Sequence, residues 1–387
     1  MRIAFFSNFL NHHQLPFCKE LNESEGVEFC FVACEKISEE RLNMGYEDMN
    51  IAYPFVVRAY EQREEAVRIA RECDVAIFGA ADAELFKIRM SEKKLTFRFC
   101  ERLFKKGTWR RFIPRTRKTV KNGYVVYRDS LHILCASAYT ASDFALCGFP
   151  KEKCFKWGYF PKKQDEPVGY ERETSGETVE ILYAGRLLRL KRVMDTVRAV
   201  HRLVKEGITN LHFTVIGDGE EKERLVKYVE KNKLEEYVEF LPFMSPDEVR
   251  AYMNKSDIYV FGSDFREGWG AVVNEAMCSG CAMLVSHAVG SAAYLIEHGK
   301  NGYVYECGNI KKLADGLRAL IKNPEMRRSF GERARETINE VWCAEEAAAR
   351  LLMLCSAILE GRDATDIFDC GPCSPAQIVK NDWIRKI

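Results

Sequence analysis

Apolar residues recur along the chain in short, nearly continuous runs rich in Val, Ile and Phe, at residues 2–9, 27–33, 75–80 and 132–137, with stretches of helical periodicity between them. Runs of that length without alternation predict strands buried on both faces, and strands that alternate with helices predict a parallel sheet. After Gly158 the pattern breaks. Residues 161–178 are charged, proline- and glycine-containing and almost without apolar periodicity, which predicts a linker between domains. A second series of runs follows at 179–185, 211–217, 238–243, 258–262, 282–286 and 303–306, then helical patterns at 310–321, 324–341 and 343–359. The expected fold class is α/β, with two Rossmann-like doubly wound domains facing a central cleft and ligands at the carboxyl ends of the strands. Residues 360–387 carry no readable pattern.

Composition narrows this picture only a little. At 387 residues the chain exceeds what one core usually serves. Lysine plus arginine (58) nearly balances aspartate plus glutamate (57), so the net charge does not by itself imply nucleic acid. The first residues lack the features of a secretory leader, and no window approaches the ~18 uncharged apolar residues of a spanning helix. The fifteen cysteines are scattered through apolar runs, which predicts reduced thiols rather than a disulfide framework. Charge is uneven in one place: between Lys87 and Lys121 fourteen lysines and arginines face two glutamates. Leu95, Phe99, Leu103 and Phe104 recur there at helical spacing among the cations, and Trp109 and Phe112 follow. The expectation is an amphipathic basic helix docking on an anionic membrane surface, against the plainer reading of a helix whose cations are solvated.

Three features of the second half converge on a diphosphate. The run ending at Gly185 passes directly into Arg186 and Lys191, two cations at a strand's carboxyl end, a pattern that also fits solvated charges at a loop. The run ending near Gly262 is followed by Glu267, Gly268, Trp269, Gly270, Ala271, Val272 and Glu275. Its glycines free the backbone, and a helix beginning near Gly270 would aim unpaired N–H groups at an anion. Two carboxylates bracket that seat and suit sugar hydroxyls, although Glu267 also fits a dipole partner and Glu275 a surface helix residue. The third feature is a glycine turn at Gly217, Asp218 and Gly219.

These motifs, in this order, resemble the retaining glycosyltransferases of family 4: Gly185-Arg186 with Lys191, the turn at Gly217, Glu267 and Glu275 at E-x7-E spacing, and glycines 280, 290, 299 and 302. The resemblance covers residues 179–359 and implies a GT-B fold, in which residues 1–165 bind the acceptor, residues 166–342 bind the nucleotide sugar, and residues 343–359 form a helix returning to the first domain. It also implies roles. Arg186 and Lys191 would bind the donor diphosphate, Glu267 the hydroxyls of the transferred sugar and Glu275 the ribose, with backbone amides from Trp269 to Val272 on phosphate oxygens and Phe243 or Met244 near the base. The first half departs from the family pattern. Its loop after the first strand reads Asn11, His12 and His13 where relatives carry a glycine pair, so these three are candidates for the acceptor or sugar side, although a loop histidine also fits polar surface. The implied reaction is transfer of a sugar from a nucleoside diphosphate to an acceptor such as a lipid-linked oligosaccharide, with retention and with no cofactor. No metal is required in this reading, because cations and helix dipoles supply the charge and no DxD motif is placed to hold an ion. A sugar phosphorylase, a nucleotide-sugar epimerase and an inactive binding module of the same fold are the alternatives.

Overall fold

The structure is a computed structural model, and it describes residues 1–39, 42, 47–161, 163 and 178–386. The expected linker and the boundary at 165/166 lie, but for residues 161, 163 and 178, outside the described residues. The chain forms two compact units, one of Met1–Lys162 with Val341–Lys380 and one of Lys163–Glu340 with Asn381–Ile387.

In the first unit the strands are β1 (Arg2–Ser7), β2 (Glu28–Ala33), β3 (Val56–Arg58), β4 (Val75–Phe78), β5 (Thr96–Cys100), β6 (Leu131–Cys135) and β7 (Cys154–Lys156), in the order β3-β2-β1-β4-β5-β6-β7. Every pairing is parallel. In the second unit β8 (Val179–Ala184), β9 (Leu211–Ile216), β10 (Val238–Leu241), β11 (Ile258–Phe261), β12 (Ala282–Ser286) and β13 (Gly302–Tyr305) form a parallel sheet in the order β10-β9-β8-β11-β12-β13. Strands β4, β6, β11 and β12 are buried along their whole length, as parallel strands covered by helices on both faces must be. The helices follow from their apolar stripes. In Val193–Lys205 the residues Val193, Val197, Val200 and Leu203 are buried at i, i+4, i+7 and i+10, and Ser245 and Glu248 close a capping box on Pro246–Lys255.

The segment between Lys87 and Lys121 corrects an expectation. Residues 96–100 are strand β5, paired on both sides, and not part of a basic helix. An apolar spacing of four fits strand and helix alike, and the β-branched and aromatic run Thr96, Phe97 and Phe99 favours the strand. Two of the cations are internal: Arg102 pairs with Asp143 at 3.2 Å, both side chains 1% exposed, and Arg89 donates to the carbonyls of Ala70, Cys73, Asp74 and Leu95. Six of the remaining cations lie further on, where the turn Thr108–Phe112 leads into the helix Pro114–Gly123 and leaves Trp109 60% and Phe112 68% exposed.

The unassigned end of the chain is ordered against both units. Residues 373–376 run antiparallel along β7: Lys156 N–H donates to the Ser374 carbonyl at 2.7 Å, and Ala376 N–H to the Cys154 carbonyl at 2.8 Å. That covers a sheet edge. The helix Ala344–Leu359 packs on Leu15–Glu23 in the same unit. Among the described residues no helix is long and apolar enough to cross a membrane.

Candidate functional site

In a doubly wound sheet the strands on either side of the order reversal send their following loops apart, and a ligand crevice opens at their carboxyl ends. In the second unit that reversal lies between β8 and β11. Their pairing runs only to Leu182 opposite Tyr259, although both strands continue for two more residues. The fully buried Tyr259 fills the gap: its hydroxyl donates to the Ala184 carbonyl at 3.0 Å and accepts from the Ala184 N–H at 3.1 Å.

The loops leaving this edge are tied to each other. Gly185 N–H donates to the Ile216 carbonyl at 3.0 Å and Leu187 N–H to the Asp218 carbonyl at 2.7 Å. Gly217 has φ +136°, and a Cβ there would stand 2.2 Å from the Gly185 oxygen, so only glycine lets these backbones meet. The Tyr183 hydroxyl holds the Arg186 carbonyl at 3.0 Å while the Arg186 side chain stays exposed.

Lys191 and Glu267 come together across the reversal. Lys191 Nζ lies 2.5 Å from the Glu267 carboxylate, with side chains 16% and 14% exposed, and 4.9 Å from the centre of the Phe261 ring. Phe261 also stacks on Tyr183 at 6.4 Å and 14°. Gly270, at φ +82°, closes the other side, where a Cβ would stand 2.7 Å from that ring. One aromatic ring at the last position of β11 thus serves as a common floor for Lys191, Tyr183 and Gly270. Burial, and then the charge of Glu267, push the Tyr183 hydroxyl well above its ordinary range against an opposing effect of Arg186, so these ionic groups act on one hydroxyl.

The helix expected near Gly270 begins at Val272 and has seven residues, Val272–Cys278. Gly270 precedes it in a left-handed conformation, and its carbonyl accepts the Val273 N–H at 2.9 Å. Trp269 reaches the site only through its backbone. Its side chain is fully buried and its Nε1 donates to Asn274 Oδ1 at 2.7 Å. Gly268 is buried and Ala271 half-buried at the same turn. Glu275 is half-buried, and burial pushes its carboxyl upward, offset in part by Arg250. Its charge bears on the Tyr259 hydroxyl. Met244 is half-buried and Phe243 52% exposed in the loop after β10.

The candidates of the first unit follow β1, at that sheet's own reversal between β1 and β4. Asn11 builds the turn: its side chain accepts from His13 N–H at 3.1 Å and donates to Gln14 Oε1 at 3.0 Å. The half-buried rings of His12 and His13 lie 3.8 Å apart, and His13 meets Tyr159 edge-on at 5.7 Å.

An opened carboxyl edge with a lysine, an arginine and a carboxylate on glycine turns offers charges suited to a phosphorylated, hydroxyl-bearing ligand, and the family match falls on this half. Residues 171–337 match the family model described as glycosyl transferases group 1. That match lies within the second unit. Among similar proteins are the N-acetyl-alpha-D-glucosaminyl L-malate synthase of Bacillus anthracis, 31% identical over 48% of this chain and 50% of that protein, and the poly(glycerol-phosphate) alpha-glucosyltransferase of Bacillus subtilis strain 168, 30% identical over 50% of this chain and 28% of that one. The chain spans about half the length of the curated relatives it matches. Among solved structures it is similar to Anabaena HepE in complex with UDP, with a TM-score of 0.68 and 15% identity over 92% of this chain and 100% of that one. A glycosyltransferase from Rickettsia africae gives a TM-score of 0.67 and 12% identity over 93% and 98%. This likeness and the two parallel sheets make the fold GT-B. Sequence reasoning missed three residues around these motifs, namely Phe261, Tyr183 and Tyr259. Each reads as an ordinary buried strand residue, and only the register shows what it touches.

Proposed function

We propose that the chain moves a sugar from a nucleoside diphosphate sugar to an acceptor hydroxyl with retention of configuration, the diphosphate held by Arg186, Lys191 and the backbone from Trp269 to Val272, the sugar hydroxyls by Glu267 and the ribose by Glu275. Met244 lies near the base, and Asn11, His12 and His13 serve the acceptor or sugar side. The observation that carries this reading is the Lys191–Glu267 pair on the Phe261 ring at the opened edge. Before the donor binds, the two charges satisfy each other. An arriving diphosphate competes for the lysine and releases an acceptor-only carboxylate for hydroxyls. The bond from the anomeric carbon to the phosphate oxygen breaks, leaving charge that Arg186 and Lys191 stabilise. The acceptor oxygen bonds to that carbon on the same face while its proton passes to the departing phosphate. No protein base and no divalent metal take part.

A lipid-linked acceptor, as in surface polysaccharide synthesis, is in line with one relative, named for a diphospho-undecaprenol saccharide in Campylobacter jejuni and 27% identical over 44% of this chain; the Bacillus subtilis relative is named for poly(glycerol-phosphate). Exposed Trp109 and Phe112 beside Arg110, Arg111, Arg115, Arg117, Lys118 and Lys121 form a surface suited to anionic lipid at the cytoplasmic face. The test is release of nucleoside diphosphate from a panel of nucleotide sugars, with and without acceptor and with chelator. Release only with acceptor, undiminished by chelator, supports transfer. Acceptor-independent turnover points to the phosphorylase or epimerase alternative. For the lipid surface, equal co-sedimentation with anionic and neutral vesicles would count against it.

A further inference from the structure

Between Lys380 and Asn381 the chain passes from the first unit to the second. Residues 381–386 then meet the carboxyl edge of the second sheet at His287, the residue directly after β12. The Asn381 carbonyl accepts from His287 Nε2 at 2.9 Å, and Trp383 Nε1 donates to the His287 carbonyl at 3.3 Å. On the other edge of the ring, Nδ1 accepts the Cys307 N–H at 3.0 Å. These bonds fix the tautomer, with the proton on Nε2. His287 is 5% exposed and clamped along both nitrogens.

The clamped ring meets Phe265 edge-on, at 5.2 Å and 89°. Phe265 belongs to the turn that presents Glu267: Glu267 N–H closes onto the Asp264 carbonyl at 2.9 Å, and Asp264 N–H donates to the Leu190 carbonyl, one residue before Lys191, at 2.8 Å. Phe265 is half-buried and borders a cavity of about 350 Å³, whose walls include His287, Glu306, Asp382, Ile384 and Arg385. A side chain with a void beside it takes its position from whatever grips its remaining face. One such grip is the imidazole, and the imidazole is held by residues 381–383.

We propose that residues 381–386 are a positioning element of the donor site, clamping His287 against Phe265 and thereby setting where Glu267 meets the transferred sugar. The inference rests on the transferase reading and deepens it. It predicts a selective effect, because the Arg186 loop is fixed by backbone bonds to the loop after β9 and does not depend on this segment. The experiment compares the full chain with a chain stopped after Lys380 and with Trp383→Ala, titrating UDP against UDP-glucose and GDP against GDP-mannose by calorimetry, with a melting curve for each protein. The expected result is nucleoside diphosphate affinity within about twofold of the full chain and a fall of at least fivefold in the affinity ratio of nucleotide sugar to nucleoside diphosphate. An unchanged ratio in Trp383→Ala overturns the proposal. So does an equal loss of both affinities together with a lowered melting point, which marks a brace for the fold only. A folded full chain that binds none of these probes sinks the transferase reading itself, and is told apart in that way.

Discussion

Replacing Lys191 with methionine removes the ammonium but keeps an unbranched stem over Phe261. In the free protein the lysine and Glu267 approach to 2.5 Å, with side chains 16% and 14% exposed. At an effective dielectric of about 20 two unit charges at that range attract by roughly 6 kcal/mol, and desolvation of both groups cancels most of it. A net loss on the order of 1–2 kcal/mol is therefore expected in stability, as Glu267 is left half-buried beside the Tyr183 hydroxyl. The effect on rate is larger. One donor aimed at a leaving oxyanion is worth ~3 kcal/mol, which is about a hundredfold in kcat/KM. Urea unfolding gives the first quantity, and steady-state release of nucleoside diphosphate with acceptor gives the second. Glu267→Gln in the Lys191→Met background should lose less stability than the two single changes added together, because the pair is then removed whole. A Lys191→Met protein that turns over within threefold of the natural one would refute the role given to this lysine.

Three further outcomes follow from the same geometry. Tyr259→Phe leaves the N–H and carbonyl of Ala184 without their hydroxyl partner in a fully buried place, and should cost about 1–3 kcal/mol in urea unfolding. Gly270→Ala sets a Cβ 2.7 Å from the Phe261 ring at φ +82°; the left-handed conformation alone costs roughly 1–2 kcal/mol, and the displaced ring should raise the KM for donor, with no change in KM counting against Phe261 as a floor for the site. His132 is buried and neutral, its pKa lowered from 6.5 to about 3 by desolvation and by Lys153. The unfolded chain therefore binds the extra proton between these values, so stability from this group is complete above pH 6.5 and falls as pH drops, by up to ~1.4 kcal/mol per unit; His132→Phe should flatten that slope.

The strands nearest the site were legible because parallel strands buried on both faces are written as unbroken apolar runs, as at Ile258–Phe261 and Ala282–Ser286. The three strands without such a signature were not. Val56–Arg58 and Cys154–Lys156 have three residues each, and Thr96–Cys100 carries an arginine at its centre. Motif spacing brought out Arg186, Lys191 and Glu267, since glycines and charges at strand ends stand apart in a sequence. What holds them did not stand apart. Phe261, Tyr183 and Tyr259 act through register, and His287 through a segment 94 positions away, a separation that no local pattern encodes. The segment between Lys87 and Lys121 misled because an apolar residue every fourth position satisfies both periodicities, and pairing with β4 and β6 decided between them.

The central claim is that the edge between β8 and β11 binds a nucleoside diphosphate through Lys191 and its neighbours. Calorimetric titration of the folded chain with uridine, guanosine, adenosine, cytidine and thymidine diphosphates tests it directly. The account predicts saturable one-to-one binding of at least one of them, weakened about tenfold or more by Arg186→Ala and by Lys191→Ala. Absence of binding to all five, or binding indifferent to both substitutions, would contradict it.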